Sequence, residues 1–187
     1  FANDLPTPLY PAPAVGLHWG HPGGEDYVTG GGPLSSFTEL IPVGKKFISQ
    51  GRTIGEGDFT LITNLTWTHS DIHADREYMR NKQFGERILA GPCVAAIVVG
   101  LSGTGPFHNV LRQDKLHVVA MLGMDELRFK NPVKPGDTLT AYTEVVEVRP
   151  SRGNPKRAIV RIKDSAVNQN GELVMEGFRA SLVELQE

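Results

Sequence analysis

The residues best suited to chemistry stand in one run, Leu65-Thr66-Trp67-Thr68-His69-Ser70-Asp71-Ile72-His73-Ala74-Asp75, which packs imidazoles, carboxylates and hydroxyls together. A second run follows, Phe84-Gly85-Glu86-Arg87-Ile88-Leu89-Ala90-Gly91-Pro92-Cys93-Val94-Ala95-Ala96, a glycine-then-proline entry into an apolar helix. An imidazole exchanges protons near neutral pH. The unpaired N–H groups at a helix start, together with the positive end of its dipole, stabilise negative charge developing on an oxygen. A histidine delivered to the mouth of a buried helix is therefore suited to chemistry on a carbonyl compound.

The rest of the chain reads as a container for these runs. With 187 residues, 40% hydrophobic and 21% charged, it is long enough for one well-buried core, and one folded domain is expected. Lys and Arg number 19 against 21 Asp and Glu, a formal charge of -2 that removes the electrostatic case for nucleic acid or an anionic membrane as the main partner. Cys93 is the only cysteine, so no intrachain disulfide forms and a reducing cytoplasm is the expected setting. Its place in an apolar helix suits a small core residue better than a nucleophile. The longest apolar stretch, Ile88 to Leu101, is broken by Gly91 and Pro92 and is shorter than the ~20 residues of a spanning helix. Phe1-Ala2-Asn3-Asp4 lacks the basic start and apolar core of a signal peptide, so a soluble, cytoplasmic protein is expected.

Residues 1–42 are rich in Pro and Gly, which favour extended or turn backbone. Tyr10, Trp19 and Tyr27 point to an arm packed over the domain or a neighbouring subunit. His18 and His21 flank Trp19-Gly20, but with no third ligand close by they read as surface or packing histidines, and no metal or organic cofactor is expected. Residues 43–187 form the expected folded domain. Within it, Lys45 to Thr53 suggests a strand. Thr53-Ile54-Gly55-Glu56 offers a capping-box pattern before a short helix carrying Phe59, Leu61, Ile62 and Leu65. Phe84 to about Leu101 is predicted as the long central helix, apolar on nearly all faces and therefore buried. Strands are predicted over 117–122, 124–130, 138–149, 158–167 and 173–185, with turns at Pro135-Gly136-Asp137 and Asn170-Gly171. One buried helix followed by antiparallel strands is an α+β layout in which a curved sheet wraps the helix.

The two chemical runs, taken with Leu127-Arg128-Phe129-Lys130-Asn131-Pro132-Val133-Lys134-Pro135-Gly136-Asp137-Thr138-Leu139, resemble the MaoC-like branch of the hot-dog fold, which includes (R)-specific enoyl-CoA hydratases and 3-hydroxyacyl dehydratases. The resemblance runs from about Lys45 to Glu184. It implies a dimer, or a higher assembly of dimers, with an acyl-CoA or acyl-carrier thioester entering near the subunit interface. The family's motif, Gly-Asp-x-Asn-Pro-x-His, places its His on His73, its Pro on Asp71, its Asn on Ser70 and its acidic residue on Thr68. This chain therefore lacks the family's carboxylate.

Hydration of an α,β-unsaturated thioester needs a base for the attacking water and an acid for the α-carbon; dehydration uses the same groups in reverse. The resemblance assigns the proton to His73. Thr68 and Ser70 can orient a water, and Asp71 can replace the missing carboxylate or His69 can share its work. It also assigns the thioester oxygen to a backbone N–H of Gly91 or Cys93, since Pro92 has none. Arg152 and Lys156, in Pro150-Ser151-Arg152-Gly153-Asn154-Pro155-Lys156, are candidates for gripping the phosphates of CoA. Two other functions stay open on the same fold: a catalytically silent subunit that binds an acyl thioester, and a thioesterase.

Overall fold

The structure, a computed structural model, describes residues 33–104, 107, 111 and 116–186. Most of the predicted arm, with Tyr10, His18, Trp19, His21 and Tyr27, lies outside the described residues. The elements in chain order are α1 (Pro33–Leu40), β1 (Lys46–Ile48), β2 (Arg52–Thr53), α2 (Glu56–Leu65), α3 (Asp71–Ala74), α4 (Arg76–Arg80), α5 (Gly91–Thr104), β3 (Leu116–Phe129), β4 (Thr138–Pro150), β5 (Arg157–Val167) and β6 (Leu173–Leu185). The main sheet is antiparallel in the order β1-β4-β5-β6-β3, with β2 also on β4. This is the α+β hot-dog layout expected from the sequence, with α5 packed on the inner face of a long sheet.

The sheet forms because β4, β5 and β6 alternate in character. Along β4, Leu139, Ala141, Thr143 and Val145 are buried while the residues between them are partly exposed. The inner-face residues build two clusters. One gathers Cys93, Val94, Ala95 and Val98 of α5 with Phe59, Leu89, Val133, Leu139, Ala166 and Met175. The other joins Phe37 and Ile41 to Phe47, Val145, Val148, Val160 and Ile162. On the opposite face, cross-strand charges replace apolar packing: Lys163 lies opposite Glu144 and 3.4 Å from Glu176. Burial pushes the Lys163 ammonium below its ordinary pKa, and Glu176 only partly offsets that.

Several elements differ from the sequence reading. Residues 33–42 are not simply extended arm: Pro33–Leu40 is helical, and Phe37 and Ile41 are buried in the second cluster. The predicted strand over 45–53 is two short strands that both pair with β4. The cap of α2 falls on Gly55, whose N–H donates to Asp58 Oδ2 at 3.1 Å, so the reach-back is made two residues later than the Thr53 pattern places it. Helix α5 starts at Gly91, not Phe84. Pro92 disfavours helical backbone for the residue before it and stops the helix from extending backwards. Nor is α5 buried on every side, since Pro92, Ala96 and Gly100 form an exposed stripe at helical spacing. The strands expected over 117–122 and 124–130 are one strand with three register shifts, the last around Glu126, whose φ is 54°.

The two ends of the sheet differ. At one end β3 finishes, β4 begins and Gly136 turns at φ 92°, with Ile54 N–H donating to Asp137 O and Leu89 N–H to Val133 O. The start of α2 and the segment leading into α5 are thus tied to this end. The turn between β4 and β5 is at the other. Among the described residues no helix is long and apolar enough to cross a membrane.

Candidate active site

The chemical run begins where α2 stops. Thr68 N–H donates to Thr63 O at 3.1 Å and Trp67 N–H to Asn64 O at 3.2 Å, a Schellman closure that needs left-handed backbone between them. Trp67 supplies it, with φ 59° and an indole 83% exposed, at the position where the family motif carries its glycine. The closure turns Thr68 inward. Its hydroxyl is half-buried, 3.1 Å from Thr66 Oγ1 and 3.4 Å from Thr63 O, and it faces Cys93 Sγ at 4.0 Å. Thr66 Oγ1 lies 3.2 Å from the same sulfur. The residue that replaces the family's carboxylate therefore stands against the first turn of α5.

His73 is the third residue of α3 and half-buried. Its Nδ1 lies 2.7 Å from the carbonyl oxygen of Ile88. A carbonyl only accepts, so Nδ1 carries a proton, and the neutral form of the ring would have its lone pair on Nε2. Nε2 has no protein partner among the described residues. Ile88 N–H in turn donates to Ile72 O at 3.1 Å, so the two segments are pinned twice at this point. The histidine is oriented by a backbone carbonyl, and no side-chain pattern announces such a group.

The other sequence candidates separate. Asp71 is exposed at the start of α3 and makes no hydrogen bond to His73 among the described residues. Positions two apart on a helix do not face one another. Ser70 precedes α3 with an exposed side chain that caps nothing. Its carbonyl accepts the N–H groups of His73 at 2.8 Å and Ala74 at 3.0 Å. His69 is exposed as well.

At the head of α5, Cys93 N–H donates to Ala90 O at 2.9 Å, so Cys93 is not the free donor offered for a thioester oxygen; its thiol is buried. Gly91 N–H has no partner among the described residues. A side chain here is excluded by packing, because a Cβ on Gly91 would lie 2.7 to 3.0 Å from ring carbons of Phe129. Arg152 and Lys156 are not brought to this place. They sit on the turn beyond β4, a 13-residue strand that at ~3.3 Å per residue carries the turn roughly 40 Å along the sheet from Thr138. Among the described residues no group of three metal-ligating side chains occurs.

Comparison with known proteins agrees with this architecture. A family model described as the MaoC-like domain matches residues 40–168. The chain belongs to the MaoC-like domain family. Protein MaoC of Klebsiella aerogenes is 32% identical over 110 residues, 57% of this chain and 30% of that protein. An (R)-specific enoyl-CoA hydratase of Rhodospirillum rubrum is 29% identical over 107 residues, 56% of this chain and 66% of that protein. The crystal structure of a MaoC-like dehydratase from Rhodospirillum rubrum superposes with a TM-score of 0.65 at 28% identity, covering 80% of this chain and 97% of that one. The matches to curated relatives span from 22% to 66% of those proteins' lengths.

Proposed function

We propose that this MaoC-like chain is a hydro-lyase that adds or removes water at the β-carbon of an acyl-CoA or acyl-carrier thioester. The observation that carries the reading is the His73 Nδ1 to Ile88 O hydrogen bond, which leaves Nε2 as a base on α3, held to the segment that leads into α5. In the hydration direction Nε2 takes a proton from water as the water oxygen attacks the β-carbon. Electron density moves to the thioester oxygen, where the Gly91 N–H and the positive end of α5 stabilise it. The imidazolium then returns the proton to the α-carbon. The Thr68 hydroxyl can donate to Thr63 O or Thr66 Oγ1 and still accept an O–H of the attacking water. Asp71 has no part in this sequence.

The name of the Rhodospirillum rubrum relative, an enoyl-CoA hydratase, supports an enoyl thioester as substrate. A dimer is supported by β3, an edge strand that exposes Val118, Val119, Met121 and Leu122. A second reading, a silent acyl-binding subunit, draws on Thr68 standing where the family has a carboxylate. Incubation with crotonyl-CoA and with longer or branched enoyl-CoAs decides between them. Loss of the conjugated-thioester absorbance without release of CoA is the expected result, and no reaction with any of them leaves the silent subunit. His73→Gln should remain folded and lose about 100-fold or more in turnover, as expected for a missing general base. Full activity in that variant would remove the mechanism.

A further inference from the structure

Two arginines and two glutamates alternate beside the site. Arg87 Nη2 reaches Glu56 Oε1 at 2.8 Å and Oε2 at 2.9 Å, and Arg87 Nε lies 3.2 Å from Glu86 Oε1. Arg76 closes the ring, with Nη2 3.2 Å from Glu56 Oε2 and Nε 3.2 Å from Glu86 Oε2. The Arg87 guanidinium also stands over the Phe59 ring at 5.2 Å, and the residue is 7% exposed. Such a residue is the least free to move of the four, because desolvation, an aromatic face and two carboxylates all fix its plane.

What the ring joins matters more than what it contributes to stability. Glu56 opens α2, Arg76 opens α4 three residues after His73, and Arg87 immediately precedes Ile88, whose carbonyl holds the imidazole. Both partners of the His73–Ile88 hydrogen bond are therefore tethered within three residues to the same four charges. The segment 84–90 has no helix or strand of its own to hold it. Its far end is anchored by Leu89 and Ala90, buried in the core cluster, and by Leu89 N–H to Val133 O. Nearer the histidine it is held by Ile88 N–H to Ile72 O, by the Arg87 ion pairs and by Lys134 Nζ, which donates to Phe84 O at 2.6 Å.

We propose that Arg87 is a positioning residue for the proton-carrying histidine: through Glu56, Glu86 and Arg76 it sets the Ile88 carbonyl at the distance that keeps the proton on His73 Nδ1 and the lone pair on Nε2. The inference rests on the reading of His73 as the proton carrier. It concerns the tautomer of that ring, which can be measured whether or not the substrate is known. A lysine at position 87 keeps the charge but not the planar guanidinium that meets Glu56 through Nη2 and Glu86 through Nε at once.

The test records long-range proton–nitrogen correlations of the histidine rings in the full chain labelled with 15N, with His73 assigned by comparison with His73→Gln. Steady-state hydration of crotonyl-CoA is followed alongside. In the unaltered protein the His73 proton should sit on Nδ1. In Arg87→Lys a measurable fraction should move to Nε2, and turnover should fall about 10- to 100-fold with the Michaelis constant within about twofold, the pattern of a displaced catalytic group. Should Arg87→Lys fail to fold, Glu56→Gln tests the same coupling from the more exposed side and should give the same direction. An unchanged tautomer in a folded variant overturns the proposal, even if turnover falls, because a purely structural role would lower turnover without moving the proton. A shifted tautomer in a protein that hydrates no enoyl thioester upholds the positioning role and counts against the proposed function.

Discussion

Helix α5 is flanked by two ion-pair networks, one behind its last turn and one ahead of its first, and they differ in exposure and in what they hold. Behind it, Arg179 Nε meets Asp164 Oδ2 at 2.8 Å, Arg179 also donates to Ser102 on α5, and Thr143 Oγ1 donates to Asp164 Oδ1 at 2.9 Å. Asp164 is 1% exposed, so these charges have no water to fall back on. Ahead of α5, the Arg87 ring keeps Glu56 and Arg76 more than half exposed, where solvent screens the pairs. A buried pair is expensive to break because the survivor is left charged in a dry interior. A half-exposed network costs little to break in stability and acts mainly through the geometry it imposes. The first network locks the helix to β4, β5 and β6. The second places a loop.

The sharpest way to break that contrast is at the buried end. Arg179→Met should leave Asp164 facing only Thr143, at a cost of about 3–5 kcal/mol in urea or thermal denaturation. Arg87→Lys keeps a charge at the position and leaves Glu56 and Arg76 in solvent, so it should cost less than Arg179→Met. If the two variants lose similar stability, the division between a core lock and a site clamp is wrong.

The same contrast separates what the sequence discloses from what it does not. Strand alternation in β4 to β6, the apolar run of α5 and the turns at Gly136 and Gly171 are local patterns, and each is set by side-chain period or by a backbone angle only glycine adopts easily. The existence of the sheet strands and of the buried helix is therefore legible in the sequence, though not the start of α5 or the continuity of β3. The site was readable only in part. His73 and Thr68 could be placed by motif, but the group that orients His73 is the carbonyl of Ile88, which every residue type carries alike. Asp71 is near His73 in sequence, but it is exposed at the start of α3 and makes no hydrogen bond to the imidazole among the described residues. Arg87 lay in a stretch assigned to the central helix, and without the break at Pro92 its reach to Glu56, 31 residues earlier, had no signal. Arg152 and Lys156 form a cluster of charge in the sequence, and the length of β4 decides where that cluster stands.

A smaller effect belongs to Trp67. Its left-handed backbone disfavours any residue with a Cβ, and most of the indole is in solvent. Trp67→Gly should therefore raise stability by about 1 kcal/mol, seen as a higher midpoint of thermal unfolding. The Schellman closure that aims Thr68 would be preserved. A lower midpoint would mean that the indole is held by contacts outside the described residues, and would move Trp67 from an isolated strain to part of an interface.

The smallest expected effect separates the two networks by pH. Burial alone would raise the pKa of Glu86, but the hydrogen bonds from Arg87 and the charges of Arg76 and Arg87 outweigh it and hold the carboxyl below its ordinary value. A carboxyl with a lower pKa folded than unfolded binds fewer protons in the folded state. Its contribution is therefore complete above the unfolded value near pH ~4.3 and is lost as the pH falls through the folded one. Glu86→Gln should leave stability near pH 7 lowered by less than about 1 kcal/mol, since the carboxylate is partly exposed, and the deficit should shrink on acidification toward pH ~3. Thermal midpoints of both proteins between pH 3 and pH 6 would converge at the acid end. Parallel curves over that range would mean that Glu86 gains nothing from the two arginines, and the ring around Arg87 would then reduce to its pairing with Glu56.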